Sequence, residues 1–71
     1  MSTIKVSVRV AGKGELRKLR LSPSSDILVA LKETGHSPET VVVRLNGRIV
    51  PETEKLSDGD EIEIIPIVSG G

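Results

Sequence analysis

Apolar residues fall into two rhythms along this chain. Ile4, Val6, Val8 and Val10 alternate with Lys5, Ser7 and Arg9, a period of two that predicts a strand with one buried face. Ala11-Gly12-Lys13-Gly14 supplies a two-glycine loop, and residues 15–21 read as the return strand of a hairpin, with Leu19 and Leu21 turned inward. Ser22-Pro23-Ser24-Ser25 stops that strand and offers helix caps. The rhythm then becomes helical: Ile27, Leu28 and Leu31 share a face, with Ala30 beside them. Asp26 is expected in the first turn, where its charge suits the helix dipole. Gly35 is a natural C-cap, so the spacing predicts a helix over residues 25–34.

Period two returns in Val41, Val43 and Leu45, and Asn46-Gly47 is the strongest short hairpin signal in the chain. Arg48-Ile49-Val50 forms a short fourth strand that Pro51 ends, and residues 52–57 read as a loop anchored by Leu56. A turn at Asp58-Gly59-Asp60 opens the last strand, in which Ile62 and Ile64 alternate with Glu61 and Glu63. The order β-β-α-β-β-β implies an α+β domain with two hairpins flanking one helix. The final strand must enter the sheet between the hairpins if long edges are to be avoided. Beside the first strand, Glu61 and Glu63 would neighbour Lys5 and Arg9.

Composition narrows the chemistry. At 71 residues the chain is one domain, near the lower size limit for folding alone. It has no cysteine, which removes disulfides, thiolate metal sites and a thiol nucleophile. It has no Phe, Tyr or Trp, so the usual platform for stacking single-stranded bases is missing. Net charge is zero, and no global pull on nucleic acid is expected. The charges are segregated, however: residues 1–25 hold six bases against Glu15 alone, and residues 26–71 hold four bases against nine acids. No stretch is long and apolar enough for a membrane span. Met1-Ser2-Thr3-Ile4-Lys5 lacks a signal-peptide core, so a cytoplasmic protein is expected.

Three small motifs read as structure rather than chemistry. Gly12-x-Gly14 lacks the glycine spacing and the following helix of a phosphate loop. Asp58-Gly59-Asp60 lacks the further oxygen ligands of a calcium loop. His36, the only histidine, falls in the loop after the helix with no metal-spaced partner.

The end of the chain is different. The last strand runs through Ile65-Pro66-Ile67-Val68-Ser69 into Gly70-Gly71. Pro66 cannot donate to a ladder, so pairing should weaken there and residues 67–71 should leave the body as an arm. An α-carboxylate is ionised at neutral pH and weakly nucleophilic. It can attack the α-phosphate of ATP only when an enzyme holds both in line. Two glycines would let such an arm enter a narrow active site. The product is an acyl adenylate, open to a sulfur or nitrogen nucleophile.

The run from Thr40-Val41-Val42-Val43-Arg44-Leu45-Asn46-Gly47 through Leu56-Ser57-Asp58-Gly59-Asp60 to Ile65-Pro66-Ile67-Val68-Ser69-Gly70-Gly71 resembles the β-grasp sulfur carriers. These include the thiamine-pathway sulfur carrier, the small subunit of molybdopterin synthase and the ubiquitin-like modifiers of archaea. The resemblance implies a ubiquitin-like β-grasp: a five-stranded mixed sheet of order 2-1-5-3-4 with one helix packed across it. It implies a domain over residues 1–68 and a flexible Gly-Gly tail over residues 69–71. It also implies that Gly71 is adenylated by a ubiquitin-activating-like enzyme, then converted to a thiocarboxylate with sulfur from a persulfide donor. Gly70 would let the tail thread the partner's site. Ile65, Pro66, Ile67, Val68 and Ser69 would dock on that partner.

On this reading the chain is a carrier and not an enzyme. It binds no cofactor itself, since the activating partner uses ATP and Mg²⁺. The sulfur acceptor would be a cofactor-building synthase or a tRNA thiolase. Two alternatives stay open: a modifier conjugated through Gly71 to target lysines, and a passive binding module using Arg17, Lys18 and Arg20 of the basic hairpin.

Overall fold

In a computed structural model, residues 2–67 are described. They form β1 (Ile4–Val10), β2 (Leu16–Leu21), α1 (Ile27–Thr34), a 3₁₀ turn (Pro38–Thr40), β3 (Val41–Leu45), β4 (Arg48–Val50) and β5 (Glu61–Pro66). The strands make one sheet in the order β2-β1-β5-β3-β4. β5 lies at the centre, parallel to β1 and antiparallel to β3, while the two hairpins β1–β2 and β3–β4 form the flanks. This is the ubiquitin-like β-grasp, with the element order and strand order that the resemblance implied.

Alternation decides which face is buried. Ile4, Val6 and Val8 of β1, Val41, Val43 and Leu45 of β3, and Ile62 and Ile64 of β5 all face the helix. Ile27, Ala30 and Leu31 of α1 complete the core with Leu21 and Leu56. Ile27, Leu31, Ile64 and Val6 are almost fully enclosed, and each such side chain contributes about 1.5–3 kcal/mol. Leu28, expected on the buried face, is only half-buried at its edge.

The helix starts later than residue 25. Asp26 is its N-cap and not a first-turn residue: its carboxylate accepts the Val29 N–H at 3.2 Å. The serines before it do other work. Ser25 is buried, and its carbonyl accepts the Leu56 N–H at 2.9 Å. The loop beneath the helix also satisfies two N–H groups that a helix start leaves orphaned: Ile27 donates to the Glu54 carbonyl and Leu28 to the Glu52 carbonyl. At the other end Gly35 takes a left-handed φ of 79°, with the His36 N–H returning to the Leu31 carbonyl at 2.8 Å. The short 3₁₀ turn had no periodic signal in the sequence. Pro38 at its first position and the Thr40 hydroxyl, donating to the Ser37 carbonyl, hold it.

The Asp58-Gly59-Asp60 turn is a splice between distant strands. Asp58 accepts the Lys5 N–H at 2.8 Å, and Asp60 accepts from the Ser57 N–H and the Asn46 side-chain amide. Asn46 in turn accepts the Glu61 N–H at 2.8 Å. Both carboxylates therefore fasten the start of β5 to β1 and to the β3–β4 hairpin. After Gly12 and Gly14 the chain enters β2, so no helix N-terminus follows that loop.

Candidate functional site

The tail is rooted in the middle of the sheet. On one side Ala11 donates its N–H to the Ile64 carbonyl at 2.8 Å. On the other side Pro66 lies opposite Val41, and the Ile67 N–H reaches the Thr40 carbonyl at 3.0 Å. The expectation that the arm departs at residue 67 is therefore corrected. Pro66 has no N–H to offer, but it remains in register, and the next N–H takes up the ladder. The cross-strand neighbours hold the chain through Ile67. Val68, Ser69 and Gly70, expected to dock or thread, and Gly71, expected to be modified, lie outside the described residues, as does the expected boundary between residues 68 and 69.

The three described tail residues have different settings. Ile65 is half-buried on the sheet face away from the helix, directly opposite Val42 of β3. Pro66 is exposed, and Ile67 is 58% exposed. Two apolar residues not singled out in the sequence lie on the same flank. Val42 is half-buried, and Ile49 of β4 is 61% exposed; both line a shallow groove of about 430 Å³ with Pro51 and Pro38. The signal was present in the pattern. Val41, Val43 and Leu45 define the buried phase of β3, so an apolar Val42 is out of phase and must face outward.

Next to this apolar ground the outer face is charged. Glu63 sits between two cations, with Arg9 at 3.7 Å from one side and Arg44 at 3.4 Å from the other. The three side chains are 23–55% exposed, which limits each pair to a few tenths of a kcal/mol, up to about 1. The expectation that Glu61 and Glu63 neighbour Lys5 and Arg9 is thus half right. Arg9 faces Glu63, but Glu61 lies opposite Ser7, and Lys5 falls beyond the paired register. Parallel pairing set this stagger, which residue spacing alone did not fix.

Among the described residues, no three His, Cys, Asp or Glu side chains come together as metal ligands. His36 is half-buried and borders a small cleft with Thr34, Val8 and Val10. No described helix is long and apolar enough to cross a membrane. What this arrangement offers is positional: a central strand is clamped on both sides as far as Ile67, beside an apolar flank.

Comparison with known proteins agrees with that layout. The model of the ThiS family matches residues 11–71. A Caldiarchaeum subterraneum ubiquitin superposes with a TM-score of 0.74 at 22% identity, covering 99% of this chain and 100% of its own. A Pyrococcus furiosus protein designated molybdopterin converting factor, subunit 1, gives 0.75 at 21% identity, covering 92% of this chain and 99% of its own. The Haloferax volcanii protein HVO 2177 gives 0.76 at 19% identity, covering 97% and 88%. At these identities the structures speak to fold alone. The family match runs through both glycines of the tail and spans all but the first ten residues, so the chain belongs to the ThiS family of β-grasp sulfur carriers.

Proposed function

We propose that this protein carries sulfur on its C-terminal residue, Gly71, as a thiocarboxylate. The observation that carries the reading is the family match through Gly70-Gly71. It is supported by a strand, β5, held on both sides as far as Ile67. A carboxylate oxygen of Gly71 attacks the α-phosphorus of ATP in the site of a ubiquitin-activating-like partner, and pyrophosphate leaves. The terminal sulfur of a persulfide donor then attacks the acyl carbon, and AMP leaves. A thiol cleaves the resulting acyl disulfide; the donor's sulfur ends in a new disulfide, and the thiocarboxylate is released. This chain's part is to present the reacting carbonyl and to pass its tail through the partner's channel without obstruction. Gly70 does so by lacking a side chain. Ile65, Ile67, Val68 and Ser69 would rest on the partner around Pro66.

Placed in the cytoplasm, the thiocarboxylate serves either cofactor biosynthesis or tRNA thiolation. The protein itself supplies no catalyst and holds no cofactor. ATP and Mg²⁺ belong to the activating partner. A second reading follows from the same activated carbonyl, which a lysine amine can attack to give an isopeptide. The likeness in fold to an archaeal ubiquitin keeps it in view.

The test is intact-mass measurement after incubation with the activating enzyme, ATP and a persulfide donor. Sulfur carriage predicts a mass gain equal to one oxygen exchanged for one sulfur, located on Gly71. An unchanged mass would remove the proposal. A ladder of conjugates in extracts, lost when Gly71 is deleted, would instead favour the modifier.

A further inference from the structure

Another surface stands apart from the tail. β2 is an edge strand: among the described residues its only backbone partner in the sheet is β1. No further backbone bond among the described residues involves Leu16–Leu21. About half of its N–H and C=O groups therefore point outward, a template for another strand. The strand is strongly basic, with Arg17, Lys18 and Arg20 all exposed and Lys5 beside Arg20 in register. Among the described residues only Arg9 and Arg44 form ion pairs, both with Glu63, so these four cations have none.

The helix leaves part of this edge uncovered. Arg17 lies opposite the buried Val8 on the core side of the sheet, yet it is exposed. α1 stops at Thr34, and its end does not reach over Arg17. The gap is a cleft of about 70 Å³ between β2 and the end of the helix, floored by Val8 and Val10 and bordered by Thr34, His36, Lys13 and Arg17. Glu15 is the one acid at its rim. Leu19 packs partly against the core beside it, and Leu16 stands 57% exposed at the start of the strand.

We propose that the free edge of β2 is a docking site for an extended acidic peptide segment of a partner protein. The segment adds to the sheet as a sixth strand. Its backbone pairs with residues 16–21, an aliphatic side chain enters the cleft over Val8 and Val10 beside Arg17, and the carboxylates, on the opposite face of the segment, meet Lys18 and Arg20. Strand addition takes its affinity from main-chain hydrogen bonds, and alternate side chains give it specificity. Charge complementarity selects the occupant. A second copy of this edge would set like charges against each other. A nucleic acid would have phosphate contacts but no aromatic platform on the protein. The site is independent of Gly71, so its test and that of sulfur carriage succeed or fail separately.

The probe is an end-capped peptide alternating valine and glutamate over six residues, titrated into the isotopically labelled full chain and followed by NMR. Shifts should centre on Leu16–Leu21, Val8, Val10 and Thr34, and the outward β2 amides should gain exchange protection. The triple variant Arg17→Glu, Lys18→Glu, Arg20→Glu should weaken binding by roughly tenfold or more while keeping the native spectrum elsewhere; charge pairs across an interface support a change of that size. Should that variant not fold, Lys18→Glu alone, whose side chain leaves the core, should still weaken binding several-fold. A chain lacking Gly70 and Gly71 should bind as the full chain does. Three results would overturn the proposal: no binding at millimolar peptide, shifts confined to the face of Glu61 and Glu63, or equal binding of the lysine-for-glutamate peptide. A single-stranded oligonucleotide that displaces the peptide with higher affinity would also overturn it, in favour of a general polyanion site.

Discussion

Single residues set the turns and the ends of this fold. Asn46 and Gly47 hold φ values of 50° and 86°, the left-handed pair of a tight hairpin. Gly47→Ala should therefore cost about 1 kcal/mol, lowering the thermal midpoint by roughly 4–8 °C in a domain of this size. Thermal unfolding followed by circular dichroism measures it. Asp26→Ala removes the cap on Val29 and should cost about 1 kcal/mol by the same assay. The two sites differ in how well the sequence announced them. Asn46-Gly47 has one local solution. Asp26 followed two serines with the same capping chemistry, and the decision lay in a distant contact, the Leu56 N–H on the Ser25 carbonyl. In the tail, Gly70→Val should leave the midpoint unchanged. It should also lower the rate of ATP-dependent activation roughly tenfold or more, the equivalent of about 1.4 kcal/mol at the transition state. Steady-state pyrophosphate release reads it.

At the scale of elements, β5 does two jobs with one run of residues. Its inward side, Ile62 and Ile64, is core, while its outward side carries Glu63 and Ile65. Ile64 is fully buried, and Ile64→Ala should cost about 2–5 kcal/mol. For a domain of this length, total stability is roughly 4–10 kcal/mol, so the variant should be marginal in urea unfolding. Ile67→Ser, at an exposed position whose N–H keeps its bond to Thr40, should change stability by less than about 0.5 kcal/mol. It should nonetheless weaken capture by the activating partner, as seen in a binding titration. The alternation of Ile62 and Ile64 made the strand legible, and the need to protect edges placed it in the centre. Where the ladder ends was not legible. The proline marked a missing donor, but only the carbonyl of Thr40, on the preceding 3₁₀ turn, shows that the next residue is still held.

For the whole molecule, charge segregation along the chain becomes a pattern in space. The acidic half sends β5 into the middle of the sheet, where Glu63 meets Arg9 and Arg44. The basic half leaves β2 at the rim with its cations outward. The ion pairs on Glu63 are exposed, so raising sodium chloride from about 0.05 to 0.5 M should move the thermal midpoint by no more than a degree or two. A larger fall would mean that electrostatics, and not the aliphatic core, holds the domain.

The proposed function divides the molecule in the same way: a folded body, an apolar flank around Ile65 and Val42, and a terminal glycine proposed as the group that another protein activates. The most direct measurement is ATP–pyrophosphate exchange catalysed by the activating enzyme in the presence of this chain. With the full chain, exchange should run and depend on its concentration; with Gly71 deleted, it should vanish while the fold is kept. Equal exchange with both chains would contradict the account.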